Sequence, residues 1–108
     1  MPAERETISP AVRGGDFIFV SGLVATDHGS VVSELTLILQ TLKSLLEGAG
    51  SSMSKVAKVN IFIYSMLEFP AVEGVYKKFF PENPPARTVC GARIPEGFKI
   101  LLECTALS

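Results

Sequence analysis

The sequence predicts an α+β domain in which a mixed β-sheet is covered on one face by two helices. Three observations carry that prediction. Two segments repeat apolar residues every three or four positions, two others alternate apolar and polar residues, and the helical segments lie between strands at crossover length. The order strand, helix, strand, helix, strand, strand gives two β-α-β passages sharing one sheet. At 108 residues the chain is expected to be one domain, 1–108.

A short extended piece is expected around Thr7 to Val12, followed by a tight turn at Gly14-Gly15-Asp16. Phe17-Ile18-Phe19-Val20 is a compact apolar strand ending in Ser21-Gly22, so turn and strand together suggest a hairpin. Residues 25–30 form a loop. From Ser33 to Glu47, Leu35, Ile38, Leu39, Leu42, Leu45 and Leu46 mark one helix face, with Ser30 or Ser33 as cap and Gly48 or Gly50 at the end. The other face is expected to carry Glu34, Gln40, Lys43 and Ser44 to water. Val56 to Tyr64 alternates, with Val59, Ile61 and Ile63 on one side and Lys58, Asn60, Phe62 and Tyr64 on the other. Because that second side still holds two aromatics, another subunit is expected to cover it. Phe69 to Phe80 returns to helical spacing, with Pro70 in its first turn and Pro81 as its stop. Ile94-Pro95-Glu96-Gly97 is a turn. Phe98 to Leu107 alternates again, Ile100, Leu102, Cys104 and Ala106 opposing Lys99, Leu101, Glu103 and Thr105.

Composition narrows the function classes. Hydrophobic residues make up 47% of the chain and charged residues 19%, against roughly 25% charged in an average domain. Apolar surface is therefore expected to be buried between subunits of a closed homo-oligomer. No apolar run is long enough to span a bilayer, and Met1 to Glu6 is too short and too acidic for a signal or transit peptide. A soluble cytoplasmic protein is expected, with a mitochondrial location left open. Net charge is −1 and the ten Lys and Arg are scattered, which argues against nucleic acid as the main partner. With one histidine, His28, in a Gly-containing loop, the chain lacks the ligands of a zinc site and offers little for a Ser-His-acid triad. Cys90 and Cys104 both fall in strands and are expected to be small buried hydrophobes.

The stretch Asn83 to Ala92 draws the functional reading. Two prolines force an extended entry, then small and β-branched residues favour a strand whose beginning carries the single charge Arg87. A guanidinium is always charged, and its planar fork matches a carboxylate with two parallel hydrogen bonds. Arg87 is thus a candidate anchor for a small carboxylic acid, weighed against an ordinary edge-strand ion pair. Glu103, a carboxylate between leucines, is a candidate acid or base in a partly dry cleft, weighed against a solvent-facing acid.

With these elements placed, the chain resembles the RidA/YjgF family, whose members are also labelled endoribonuclease L-PSP or reactive-intermediate deaminase. The likeness runs from Ser9 to the C-terminus. It rests on Val20-Ser21-Gly22, Leu42 to Gly50, Lys58 to Tyr64, Val72 to Phe80, Pro85-Ala86-Arg87-Thr88, Ala92-Arg93-Ile94-Pro95 and Lys99 to Ala106. The resemblance implies a chorismate-mutase-like fold of the Bacillus type, assembled as a homotrimer with clefts between subunits. It implies hydrolysis of 2-imino acids, the reactive products of pyridoxal-phosphate enzymes such as 2-iminobutanoate and 2-iminopropanoate, to 2-keto acids and ammonia without metal or cofactor. Carried over, Arg87 grips the substrate carboxylate and Glu103 positions a water. Ser21 stands at the cleft wall, and backbone around Val89 and Cys90 contacts the ligand, although the stretch from Arg87 to Arg93 is one residue short of the family pattern. Ala11 stands where deaminase-type members have a tyrosine, and Glu73 where they often have an asparagine. Two other readings compete: a trimer that binds small carboxylates without turning them over, and an endoribonuclease or translation inhibitor, which suits the scattered basic residues poorly.

Overall fold

The computed structural model describes residues 8–108, so the expectations at Met1 to Glu6 and at Thr7 lie outside the described residues. Five strands and two helices follow in the order β1 (Ala11–Gly14), β2 (Phe17–Leu23), α1 (Val31–Gly48), β3 (Val56–Ile63), α2 (Phe69–Phe79), β4 (Ala86–Gly91) and β5 (Ile100–Leu107). They make one sheet in the order β1-β2-β5-β3-β4. Only β3 and β4 run parallel; the other neighbours are antiparallel, so the sheet is mixed. The second β-α-β passage joins neighbours, whereas β5 inserts between the strands of the first.

Period-2 alternation sorts the strand residues into two faces. Ile18, Val20, Val59, Ile61, Ile63, Ile100, Leu102, Cys104 and Ala106 are buried and form one core with Leu35, Ile38, Leu39, Leu42 and Leu46 of α1 and Val72, Val75 and Tyr76 of α2. Among the described residues no layer covers the opposite face. It carries Phe17 and Phe19, 42% and 48% exposed, with ring centroids 6.2 Å apart. Phe17-Ile18-Phe19-Val20 is therefore an alternating strand whose two phenylalanines lie away from the core.

Helix α1 begins at Val31, two residues before the expected start at Ser33, because Ser30 caps it by accepting from the backbone N–H of Ser33 at 3.1 Å. Helix α2 is entered through a 3-10 turn at Met66–Glu68, with Pro70 in its first turn where a missing N–H costs nothing. Asn83 adopts φ 48°, turning the chain into Pro84-Pro85 and β4.

Two expectations require correction. Glu34 does not face water: it is fully buried. Its Oε1 accepts from Lys99 N at 2.8 Å and its Oε2 from Gly29 N at 3.1 Å, while Lys99 Nζ donates to the Gly29 carbonyl at 2.6 Å. The loop before α1 and the entry to β5 close over this carboxylate. Cys90 is not a core residue either; it is exposed on the uncovered side of edge strand β4, while Cys104 is buried as expected.

Candidate functional site

Arg87 is the second residue of β4 and pairs with Val59 of β3. Because Val59 points into the helix-covered core, Arg87 projects to the same side, but at the outer edge of the sheet, where β4 has no further neighbour among the described residues. There it meets α2. Its guanidinium carbon lies 4.7 Å from the ring centroid of Tyr76 and 5.4 Å from that of Phe69, within cation-π range of both. Glu73 lies three residues before Tyr76, on the same helix face, and its Oε1 accepts a hydrogen bond from Arg87 Nη1. The arginine is thus held by two rings beneath and one carboxylate beside it. The two side chains of this pair are 23% and 46% exposed, so solvent screening limits its own stabilisation to about 1 kcal/mol or less.

A cavity of about 620 Å³ opens beside the pair, lined among others by Pro70, Glu73, Tyr76, Lys77, Pro85 and Arg87. Tyr76 is the deepest of these. Burial pushes its phenol up to about 12, the positive charge of Arg87 opposing the shift and Glu73 adding to it. Its hydroxyl has no hydrogen-bond partner among the described residues.

Glu103 lies elsewhere. In β5 it pairs with Asn60 and alternates with buried Leu102 and Cys104, so its half-buried side chain projects from the uncovered face. Between the pairs Val20–Cys104 and Leu23–Leu102 the strand β2 carries an extra residue, a bulge that puts Ser21 and Gly22 opposite Glu103. Ser21 is anchored there twice, its hydroxyl donating to the Ser9 carbonyl at 2.6 Å and its N–H to the Pro10 carbonyl at 2.9 Å. Ala11, paired with buried Val20, turns to the other side of the sheet and packs against the helix-covered core.

The structure therefore brings Ser21 and Glu103 together on the uncovered face and sets Arg87 and Ala11 on the opposite, helix-covered side. Two strand spacings, roughly 10 Å, separate Arg87 from the Cys104 register. Val89 is half-buried on the Arg87 side and Cys90 exposed on the other, both on an edge strand that presents backbone groups outward. His28 is occupied elsewhere: its ring stacks on Phe98 at 4.0 Å and its Nε2 lies 2.8 Å from the Glu96 carbonyl. Among the described residues no cluster of His, Cys, Asp or Glu is gathered as a metal ion would require, and no helix is long and apolar enough to cross a membrane.

Sequence reasoning marks Glu73 only as a departure from a pattern. Its signal lies in the spacing, since an acid three residues before a tyrosine on a helix following the β3 strand faces whatever β4 presents.

The same architecture recurs among known proteins. The family described as Endoribonuclease L-PSP matches over residues 1–108. Protein mmf2, mitochondrial, of Schizosaccharomyces pombe is 40% identical over 89% of this chain and 83% of its own length. A 2-iminobutanoate/2-iminopropanoate deaminase of Dermatophagoides farinae is 33% identical over 88% of this chain and 80% of its own. The crystal structure of yeast Mmf1 superposes with a TM-score of 0.90 at 28% identity, covering 94% of this chain and 87% of that one. A five-stranded mixed sheet with two helices, matched along its length in this way, makes the chain a member of the endoribonuclease L-PSP family, to which the YjgF and RidA proteins belong.

Proposed function

We propose that the protein hydrolyses small 2-imino acids to 2-oxo acids and ammonia, in clefts shared between the subunits of a homotrimer. The observation that carries this reading is Arg87, a cation held over two aromatic rings at the wall of an open cavity, with only Nη1 committed to a partner among the described residues. Its free edge suits a carboxylate as a bidentate pair.

Little more is asked of the protein once that carboxylate is fixed. A protonated imine carbon is already electrophilic, so orientation and a delivered water account for most of the catalysis. Water adds to the carbon and one of its protons passes through Glu103 to the nitrogen. The C–N bond then breaks with its electron pair on nitrogen as the hydroxyl oxygen forms the C=O bond and gives up its remaining proton, leaving a 2-oxo acid and ammonium. Ser21 forms the wall beside Glu103. Backbone at Val89 and Cys90 contributes the remaining polar contacts. The reaction as written uses no cofactor.

Association completes the site. Arg87 and Glu103 project from opposite faces of one sheet, so a single chain cannot present both to one ligand. Packing the β4 edge of one copy against the uncovered face of the next would join them and cover Phe17 and Phe19, along with exposed Val12 and Leu107. The cytoplasm is the proposed compartment, with mitochondria the alternative that the naming of mmf2 supports.

A dehydratase-coupled assay tests the activity: generated 2-iminobutanoate should lose ammonia faster with the protein than without. A rate left at the uncatalysed value removes the enzyme reading. In that event a non-catalytic carboxylate-binding trimer is the second reading, favoured by Ala11 in place of an aromatic hydroxyl. It predicts 2-oxobutanoate binding that depends on Arg87. Cleavage of RNA that persists in Arg87→Ala protein would count as contamination.

A further inference from the structure

The carboxylate on Arg87 in the structure is the protein's own. Nη1 of Arg87 donates to Oε1 of Glu73, while Nε and Nη2 make no hydrogen bond among the described residues. A ligand approaching this edge meets a cation and an anion side by side. For a simple anion, repulsion from Glu73 offsets part of the attraction to Arg87; for a zwitterion, both groups are complementary.

We infer that Glu73 is a specificity-determining residue, making the Arg87 cavity select acids that carry a cationic nitrogen next to the carboxylate over acids that carry a neutral carbonyl there. The inference rests on Arg87 being the carboxylate anchor. The ligand carboxylate takes the Nε and Nη2 edge, and the adjacent iminium or ammonium takes Glu73, whose side chain keeps 46% of its surface exposed. Lys77, one turn along α2, also lines the cavity, so a lone anion is not shut out and the selection is relative.

The preference has a consequence for turnover. A 2-iminium acid is a zwitterion; one water enters, one ammonium leaves, and the product is a 2-oxo acid anion that has lost its partner for Glu73. Substrate is then favoured over product in the same cavity.

Calorimetric titration with two probes of equal length, L-2-aminobutanoate and 2-oxobutanoate, tests this on the assembled protein. Wild type should bind the amino acid more tightly than the oxo acid, and Glu73→Gln should move the affinity ratio toward the oxo acid by about tenfold. Glu73→Asp, which keeps the charge, should keep the wild-type order. Glutamine is isosteric and position 73 is only half-buried, so folding is not at stake. If both probes bind, Arg87→Ala abolishes both, and Glu73→Gln leaves the ratio unchanged, then the anchor stands and the role of Glu73 falls. If neither probe binds wild type or Glu73→Gln, the anchor itself falls and takes the selection with it.

Discussion

Arg87 has a structural setting that suits the chemical role proposed for it. Phe69 and Tyr76 supply a flat apolar bed, Glu73 supplies a counter-charge, and Nε and Nη2 make no hydrogen bond among the described residues, beside a cavity that Arg87 lines. Arg87→Ala should lower kcat/KM for 2-iminobutanoate at least about tenfold, a loss of roughly 1.4 kcal/mol or more of transition-state stabilisation. Sedimentation should show the assembly unchanged. Glu34 is the structural counterpart, a buried carboxylate whose oxygens accept from Gly29 N and Lys99 N. Glu34→Ala should cost about 3 kcal/mol in urea unfolding, because it leaves the backbone donors Gly29 N and Lys99 N without their buried acceptor. Arg87 is legible in the sequence because two prolines and a β-branched stretch isolate it at a strand entry. The role of Glu34 is not, since helical periodicity places it on the polar face and says nothing of Lys99, 65 positions away, closing over it.

At the scale of elements, α2 and β5 face each other across buried Tyr76 and Cys104. Burial pushes the Cys104 thiol up from 9.0 to about 12, with the charge of Glu103 adding to it, and lifts Tyr76 from 10.0 to about 12. Folded-state values raised above unfolded ones mean stability that is full below pH 9 and lost as pH rises toward 12, when the unfolded chain ionises first. Urea midpoints should therefore fall above pH 9, each group contributing a slope of up to about 1.4 kcal/mol per pH unit, and Cys104→Ala should remove the earlier part of the fall. In α2 itself, Gly74 lies in the helix interior, and a methyl group on its Cα would meet nothing within 4 Å. Gly74→Ala should raise stability by about 1 kcal/mol in the same assay. Strand identities and the faces of β3 and β5 follow from alternation. The insertion of β5 between β2 and β3 does not, because pairing order depends on the closed sheet and not on any local pattern.

For the whole molecule, the decisive feature is that one sheet carries the two candidate groups, Arg87 and Glu103, on opposite sides. The low charge and the aromatics Phe62 and Tyr64 are readable signs of association, yet they name neither the covering surface nor the number of copies. The exposed Phe17 and Phe19 point to the face, and the placement of Arg87 and Glu103 gives that face a reason to be covered. The proposed shared cleft would make each subunit inactive alone and complementary in pairs. Subunit mixing tests this most directly: Arg87→Ala and Glu103→Gln proteins are each assayed for 2-iminobutanoate hydrolysis, then unfolded together and refolded as hybrids. Both should be inactive alone, and an equal mixture should regain activity in roughly a quarter of its clefts, those pairing an intact Arg87 with an intact Glu103 from its neighbour. Hybrids that form but remain as inactive as either parent would contradict the shared cleft.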